Sequence, residues 1–423
     1  MADDDSLIDP EQLCVGLYVE LDLPWMDHPF AFSKFKIKSA DQIETLKRLG
    51  LDQIRYNRAK SDRAPLPLNP EAPVTPKAKP EPTPEEKAAA AEKKARIERM
   101  EQISESIAQV EQKFAQAART LKQINQVMRS KPEEAFEHAD GLVTELVAAS
   151  MAAGDTQLHA ISQSMGEDTY FHSLNVAILS MILGNAIHLK EAELQQLGLG
   201  AILHDIGQCE VPDLVLARRE SLNKSEQAVY ESHVKSGLKI AGKLAVSPDA
   251  LAVIAQHHER ADGSGYPERL TNEKMNPLAR IVALVNAYDN LCNPQNMTLA
   301  LTPYEALAFM FGKQRSKFDE TLLRTMIKCL GVYPPGTLVR LSDQRIALVL
   351  SVNAKQALQP TVMLYDPEVP KEAALMLDLE QEPGTKIIEG LRPTAIPAEV
   401  FNYLNPRQRV TFYFDKQPGQ KSN

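Results

Sequence analysis

A proline run limits this chain's architecture more than any other feature. Eight prolines fall between Ala64 and Pro84, interleaved mainly with Ala, Lys and Glu. Proline fixes φ and removes a backbone donor, so such a run builds neither a helix interior nor a central strand. It has little apolar surface to bury and reads as an extended, semi-rigid linker over 61–84. A chain of 423 residues, long enough for two or three domains, is thereby divided into a small first part and a large remainder. The run ends sharply at Thr83-Pro84-Glu85-Glu86. There Thr83 is an N-cap, Pro84 takes the first helical position and Glu86 closes a capping box.

Ahead of the linker, residues 8–60 have the pattern of a small mixed domain. Leu13–Leu21 and Phe35–Lys38 read as strands, Ser39 caps a helix through Leu49 that Gly50 ends, and Gln53–Tyr56 is a further strand. Beyond it, over 85–130, Met100, Ile103, Ile107, Val110, Phe114, Ala117, Leu121, Ile124 and Met128 step by three and four residues. This heptad seam fits a homodimeric coiled coil, a helix packed on its own domain, or a solvated stalk. Residues 134–332 are helical in pattern almost throughout. In 333–423 the period changes to two, with strand candidates at Thr337–Leu341, Ile346–Val352, Thr361–Tyr365 and Val410–Phe414. The expected class is mainly α, with a small α/β unit in front and a small β-rich unit behind.

Several functions are disfavoured by composition. A net charge of −9 argues against a broad polyanion-binding surface and hence against duplex nucleic acid. A small anionic substrate stays compatible, because bound metal supplies positive charge locally. Cys14, Cys209, Cys292 and Cys329 are widely spread and form neither a zinc knuckle nor a secreted disulfide framework. No apolar h-region follows the acidic start, and no apolar stretch reaches 18 residues, so the expectation is a cytoplasmic protein without a membrane span.

Chemistry-bearing residues concentrate between Asp168 and Asp289. Asp168 and His172 are four apart and share a helix face. His204-Asp205-Ile206-Gly207 ends an amphipathic helix, with Gly207 read as its left-handed stop. His233 follows in a helix starting near Ser225, and another helix runs into His257-His258 before the loop Glu259–Pro267. Imidazoles and carboxylates are the ligand set of divalent metals at catalytic sites. An aspartate can bridge two ions, and two ions together polarise a phosphoryl oxygen and activate water. A lone histidine at a helix end is more often a cap or core residue, which is how His28, His138, His159 and His188 are read. The two doublets, one before a glycine and one before a glycine loop, point instead to a metal site.

The order His172, His204-Asp205-Ile206-Gly207, His233, His257-His258-Glu259, Asp262-Gly263-Ser264-Gly265-Tyr266-Pro267 resembles the HD-GYP family, a subgroup of the HD-domain phosphohydrolases. The resemblance covers roughly 150–332, and the first sixty residues look like the small uncharacterised domain found ahead of bacterial HD-GYP domains. It implies an all-helical domain with two divalent metal ions, iron or manganese, that hydrolyses cyclic di-GMP. His172, His204, Asp205, His233, His257 and His258 match the family's ligands, with Asp205 as the bridge. Asp168 stands where some members carry a longer carboxylate for a third metal. Asp262, Gly263, Gly265, Tyr266 and Pro267 match the signature loop, which the resemblance makes a substrate-side lip and a docking surface for diguanylate cyclases.

Three departures bear on activity. Asn286 stands at the family's last metal-ligating aspartate, and Asp289 matches a second aspartate that is not normally a ligand. Gln208 replaces the lysine that follows His-Asp-x-Gly. Asn293-Pro294-Gln295-Asn296 replaces a basic phosphate clamp, with Lys313, Arg315 and Lys317 the next cations along. Each lost charge-assisted contact costs on the order of 1.5–3 kcal/mol. The leading expectation is a cyclic di-GMP phosphodiesterase yielding the linear dinucleotide or GMP. The alternatives are a catalytically reduced scaffold that binds signalling partners and a phosphohydrolase of another nucleotide.

Overall fold

The structure, a computed structural model, describes residues 5–23, 28, 30, 33–67, 84–152, 157–160, 171–218, 221–353, 358–367, 369, 371, 374–382, 384–404 and 411–415. The chain forms two compact units, Met1–Glu101 and Gln102–Asn423.

In the first unit, β1 (Asp5–Ile8), β2 (Tyr18–Glu20), β3 (Lys34–Lys36), α1 (Ala40–Arg48) and β4 (Ile54–Asn57) follow one another. The strands form an antiparallel sheet in the order β1-β4-β2-β3. Leu17, Val19, Ile37, Leu46 and Ile54 are buried in its core. Ser39 Oγ accepts from Gln42 N, and Gly50 adopts φ +67° after α1, the two ends that the sequence indicates. The expected strand Leu13–Leu21 shrinks to Tyr18–Glu20, since the chain turns at Val15-Gly16, where Gly16 takes φ +101° and Leu17 N donates to Cys14 O at 3.3 Å. Strand β1 was not expected, because four residues give too short an alternation to read. The start of the proline run lies against this unit, Leu66 N donating to Gln12 O at 2.9 Å. The rest of that run through Thr83, with the expected cap, lies outside the described residues.

Helix α2 (Pro84–Val127) realises the heptad pattern as one helix. Val110, Phe114, Ala117, Leu121, Ile124 and Met128 are buried in the core of the second unit, and Phe114 meets the Phe171 ring at 5.5 Å. Of the three readings of the seam, the packed helix is the one this part adopts. Burial of each Leu, Ile or Phe here contributes about 1.5–3 kcal/mol. The side chains of Met100 and Ile103 lie outside the described residues.

There follow α3 (Pro132–Ala152), β5 (Gln157–Ala160), α4 (Phe171–Ala186), α5 (Glu191–Leu203), α6 (Asp213–Leu216), α7 (Lys224–Glu231), α8 (His233–Ala241), α9 (Pro248–Gln256), α10 (Pro277–Cys292), α11 (Pro303–Lys313) and α12 (Glu320–Leu330). Helices α4, α5, α9 and α10 make the centre, and α4 and α10 are buried on nearly every side. The class is mainly α, as expected. One element corrects the all-helical reading of 134–332: β5 is a strand that pairs with the tail, and its four residues show no period of their own.

The tail contributes β6 (Leu338–Leu341), β7 (Ile346–Asn353), β8 (Thr361–Leu364), β9 (Met376–Asp378), β10 (Ile387–Leu391), α13 (Ala398–Leu404) and β11 (Phe412–Asp415). The sheet runs β10-β6-β7-β5-β11, with β8 joining β7 to β9. Alternation in β6 and β7 sends Val339 and Val349 into one apolar cluster and Leu338 and Leu348 into another on the opposite face. Among the described residues no helix is long and apolar enough to cross a membrane.

Candidate metal centre

Helix ends deliver the histidines to one place. His172 opens α4, His204 is the C-cap of α5, and Asp205 follows at φ −98°, ψ 10°. His233 is the first residue of α8, after a break at Ser232 that separates it from α7 rather than leaving it mid-helix. His257 caps α9 and His258 follows it. His204, His233 and His257 are fully buried.

The reading of Gly207 as a left-handed stop is corrected. It lies inside the 3-10 turn Ile206–Glu210 and is not among the positive-φ glycines. Its hydrogen side chain is needed for space: a Cβ there would stand 1.9 Å from the His233 carbonyl oxygen and 2.4 Å from Gly237 N. The glycine thus lets the turn that carries Asp205 lie directly on the helix that carries His233.

Ring tautomers follow from the acceptors. His204 Nδ1 donates to the Ala201 carbonyl at 2.7 Å, His233 Nδ1 to that of Tyr230 at 2.6 Å, and His257 Nδ1 to that of Ile254 at 2.9 Å. A carbonyl can only accept, so Nδ1 carries the proton and a neutral ring presents a lone pair at Nε2. His172 Nδ1 faces Asp289 Oδ2 at 2.6 Å, with the same consequence. The Nε2 atoms then meet in pairs, His172 with His204 and His233 with His257, each pair 3.3 Å apart. Two lone pairs at that distance need a cation or a proton between them.

Asp205 stands between the pairs. Its Oδ2 is 3.3 Å from His204 Nε2 and 3.7 Å from His172 Nε2, while its Oδ1 is 3.5 and 3.6 Å from those of His233 and His257. Buried Oδ1 has no hydrogen-bond donor, and neither has His258 Nε2 an acceptor or donor. One ligand atom each from Asp205, His233, His257 and His258 lie within 4.8 Å of one another, and so do those of His172, His204 and Asp205. This donor set fits two divalent cations that share one carboxylate.

Charge in the cluster is divided unevenly. Burial would raise the Asp205 carboxyl, but His204, His257 and His233 around it hold it well below the usual carboxylate range. His204 is raised: burial opposes its cation, and the Asp205 carboxylate outweighs that. Burial pushes His257 down to about 4, with the neighbouring His204 and His233 adding to the effect. Burial likewise holds His258 well below the ordinary histidine value. His257 and His258 are therefore neutral, ligand-ready rings at pH 7.

The glycine loop closes over one side. Gly263 takes φ +75°, and Gly265 packs so closely that a Cβ would stand 2.4 Å from Arg260 N. Asp262 Oδ1 accepts from Ser264 N and Oγ, and the Tyr266 ring stacks on His258 at 4.6 Å. Pro267 is exposed after it. Glu259, fully buried, accepts from Glu268 N at 2.7 Å and from Leu270 N at 2.9 Å. Lys317 joins the loop through its carbonyl, which accepts from Ala261 N at 2.9 Å, and Arg315 pairs instead with Glu320.

The remaining sequence candidates divide. Asn286 is buried, and its Oδ1 accepts from Asn290 Nδ2 at 2.7 Å. Gln208 lies in the turn after Asp205 with its Nε2 buried and without an acceptor. Asp168 lies outside the described residues. Asp289 is engaged by the protein's own donors: its Oδ1 accepts from Asn175 and Asn293 while Oδ2 holds His172. Sequence reasoning missed Asn175, the bond of Asn293 to Asp289 and the grip of Glu259. Only Asn175 left a signal, lying three residues beyond His172 on the same helix face.

Residues 150–322 match the HD domain model, and residues 6–139 match a domain of unknown function, DUF3391. The cyclic di-GMP phosphodiesterase PA4108 of Pseudomonas aeruginosa is 28% identical over 410 residues, covering 93% of this chain and 92% of that protein. The 3'3'-cGAMP-specific phosphodiesterase 2 of Vibrio cholerae is 31% identical over 168 residues, 39% of this chain and 32% of that protein. The solved HDG"Y"P protein Bd1817 of Bdellovibrio bacteriovorus aligns at 16% identity with a TM-score of 0.43, covering 76% of this chain and 98% of that one.

Proposed function

We propose that this chain, whose residues 150–322 match the HD domain model, is a metal-dependent phosphodiesterase of cyclic dinucleotides in the HD-GYP branch, with cyclic di-GMP as the substrate. The observation that carries the reading is Asp205, whose two oxygens each face their own histidine pair. His172, His204 and Asp205 Oδ2 would hold one divalent cation, iron or manganese, and His233, His257, His258 and Asp205 Oδ1 the other. Such a pair of ions supplies Lewis acidity for the phosphodiester and for an attacking water.

The chain's own groups do the rest. Backbone carbonyls and Asp289 keep Nδ1 of His172, His204, His233 and His257 protonated, so that their Nε2 atoms stay donor atoms. Gln208 Nε2, a buried N–H donor without an acceptor, is suited to an anionic oxygen of the substrate. Asp262, Gly263, Gly265, Tyr266 and Pro267 form the lip against which a base or sugar would lie; burial would raise the Asp262 carboxyl, but the Ser264 hydroxyl and amide, with Lys317 nearby, lower it. A diguanylate cyclase docking on this lip belongs to the same reading.

A reduced-activity scaffold is favoured by one observation: Asn286 offers an uncharged oxygen already engaged by Asn290. The test is to load the full chain with manganese or iron, count bound metal, and follow cyclic di-GMP and 3'3'-cGAMP by chromatography. Cleavage of cyclic di-GMP that Asp205→Ala abolishes supports the proposal. Two bound metals with cleavage of cGAMP alone would move the substrate assignment, and metal without any cleavage would favour the scaffold.

A further inference from the structure

The far end of the chain reaches the metal centre through a line of buried polar groups. The backbone N–H of Phe412, in β11, donates to Asn175 Oδ1 at 3.2 Å. That N–H can only donate, so it fixes the carboxamide with its oxygen toward β11 and its nitrogen toward Asp289. Asn175 Nδ2 then donates to Asp289 Oδ1 at 3.0 Å, beside Asn293 Nδ2 at 2.9 Å. With Oδ1 occupied twice, Oδ2 is turned to His172 Nδ1 at 2.6 Å. Asn175, Asp289 and Phe412 are all fully buried, so no water competes for these bonds.

Apolar contacts brace the same line. The Phe412 ring stacks at 6.4 Å on Tyr288, the neighbour of Asp289. Tyr413 meets Phe114 edge-on at 6.3 Å, and Phe114 in turn packs on Phe171, the neighbour of His172. β11 is held in place by its pairing with β5, which also pairs with β7 of the tail sheet. Among the described residues no comparable line runs to His233 or His257, whose Nδ1 atoms are held by carbonyls of the preceding turn.

We propose that β11 is a positioning element of the metal centre: docked through Asn175 and Asp289, it aims His172 and sets cation affinity at the His172–His204 position only. Asn175 is a positioning residue and touches no reacting atom. The inference rests on the two-cation reading above. It also gives the tail a role: by holding β11, the tail sheet can tune one of the two positions while the other keeps its cation.

The test uses the full chain and manganese alone. Titration followed by electron paramagnetic resonance is expected to give two tight positions in the unchanged protein and one in Asn175→Ala, the other weakened tenfold or more. Two tight positions in Asn175→Ala, or equal weakening of both, overturns the proposal and leaves the two-cation reading standing. No tight manganese in the unchanged protein overturns both. Should Asn175→Ala not fold, the unmutated chain suffices, because coupling is reciprocal. Manganese must then slow amide hydrogen exchange at 411–415 relative to 338–341. Unchanged exchange at 411–415, with slowing around His204 and His257, overturns the proposal.

Discussion

His233 and His257 are aimed by carbonyls three residues back, whereas His172 is aimed by a carboxylate 117 residues away in sequence. The first pair is set as soon as two helix ends form and dock. The second also needs α4, α10 and β11 to bring Asn175, Asp289 and Asn293 together. Locally aimed ligands gain robustness, and remotely aimed ones gain a route by which distant parts of the fold can act on them. The two positions differ in protons as well, since burial pushes His257 down to about 4 while at His204 the Asp205 carboxylate outweighs burial and raises the ring.

Substitutions can break this contrast. The largest effect is expected from Asp289→Ala, which strands His172 Nδ1 and the amides of Asn175 and Asn293 in a buried site. Each stranded donor costs about 1–3 kcal/mol, so chemical denaturation should show a loss of several kcal/mol. Manganese affinity should fall about 10- to 100-fold at the His172–His204 position alone. Equal weakening at both positions would erase the distinction between the halves.

Gly207→Ala probes the other half. The added Cβ collides with the His233 carbonyl and Gly237 N, so α8 must move, at a cost of about 1–3 kcal/mol. The His233–His257 position should then lose affinity first, and an unchanged melting temperature and metal affinity would show that the close contact is not needed. The smallest effect is expected at an exposed long-range pair, Arg392 with Glu305. Burial would raise the Glu305 carboxyl, but the Thr302 amide, Arg392 and the Thr302 hydroxyl hold it below the usual 4.5. Its contribution is therefore present above that value and fades as pH falls through the lower folded one. Arg392→Ala should cost under about 1 kcal/mol at neutral pH and less in acid, read from denaturation midpoints across pH. A larger loss would show that buried networks are not what separates strong from weak distant contacts here.

What could be read from sequence follows the same division. The His204-Asp205 and His257-His258 doublets were legible because neighbours at a helix end stay together in any fold. The helical period of α2 and the alternation of β6, β7 and β8 were legible because each element carries its own pattern. Gly207 was recognised by type and mistaken in role, since the carbonyl that crowds it belongs to another helix. Strand β5 was missed because four residues carry no period, and its identity comes from Phe412–Asp415 and Ile346–Asn353 beside it. Asn175 was passed over as an ordinary polar residue and Asn293 was read only as a lost cation, because the sequence does not show that Asp289 stands between them.

Glu259 has a consequence for how the rim of the centre can vary. It grips the main chain at Glu268 and Leu270, leaving their side chains and that of Arg269 outside the grip. The grip is thus indifferent to the side chains at Glu268 and Leu270, proline apart, whereas Arg269 holds φ +55°, a left-handed backbone that β-branched residues and proline resist. Within those limits their shape and charge can be rewritten for a different visitor while the loop keeps its form, much as a lock can be rekeyed without replacing its housing.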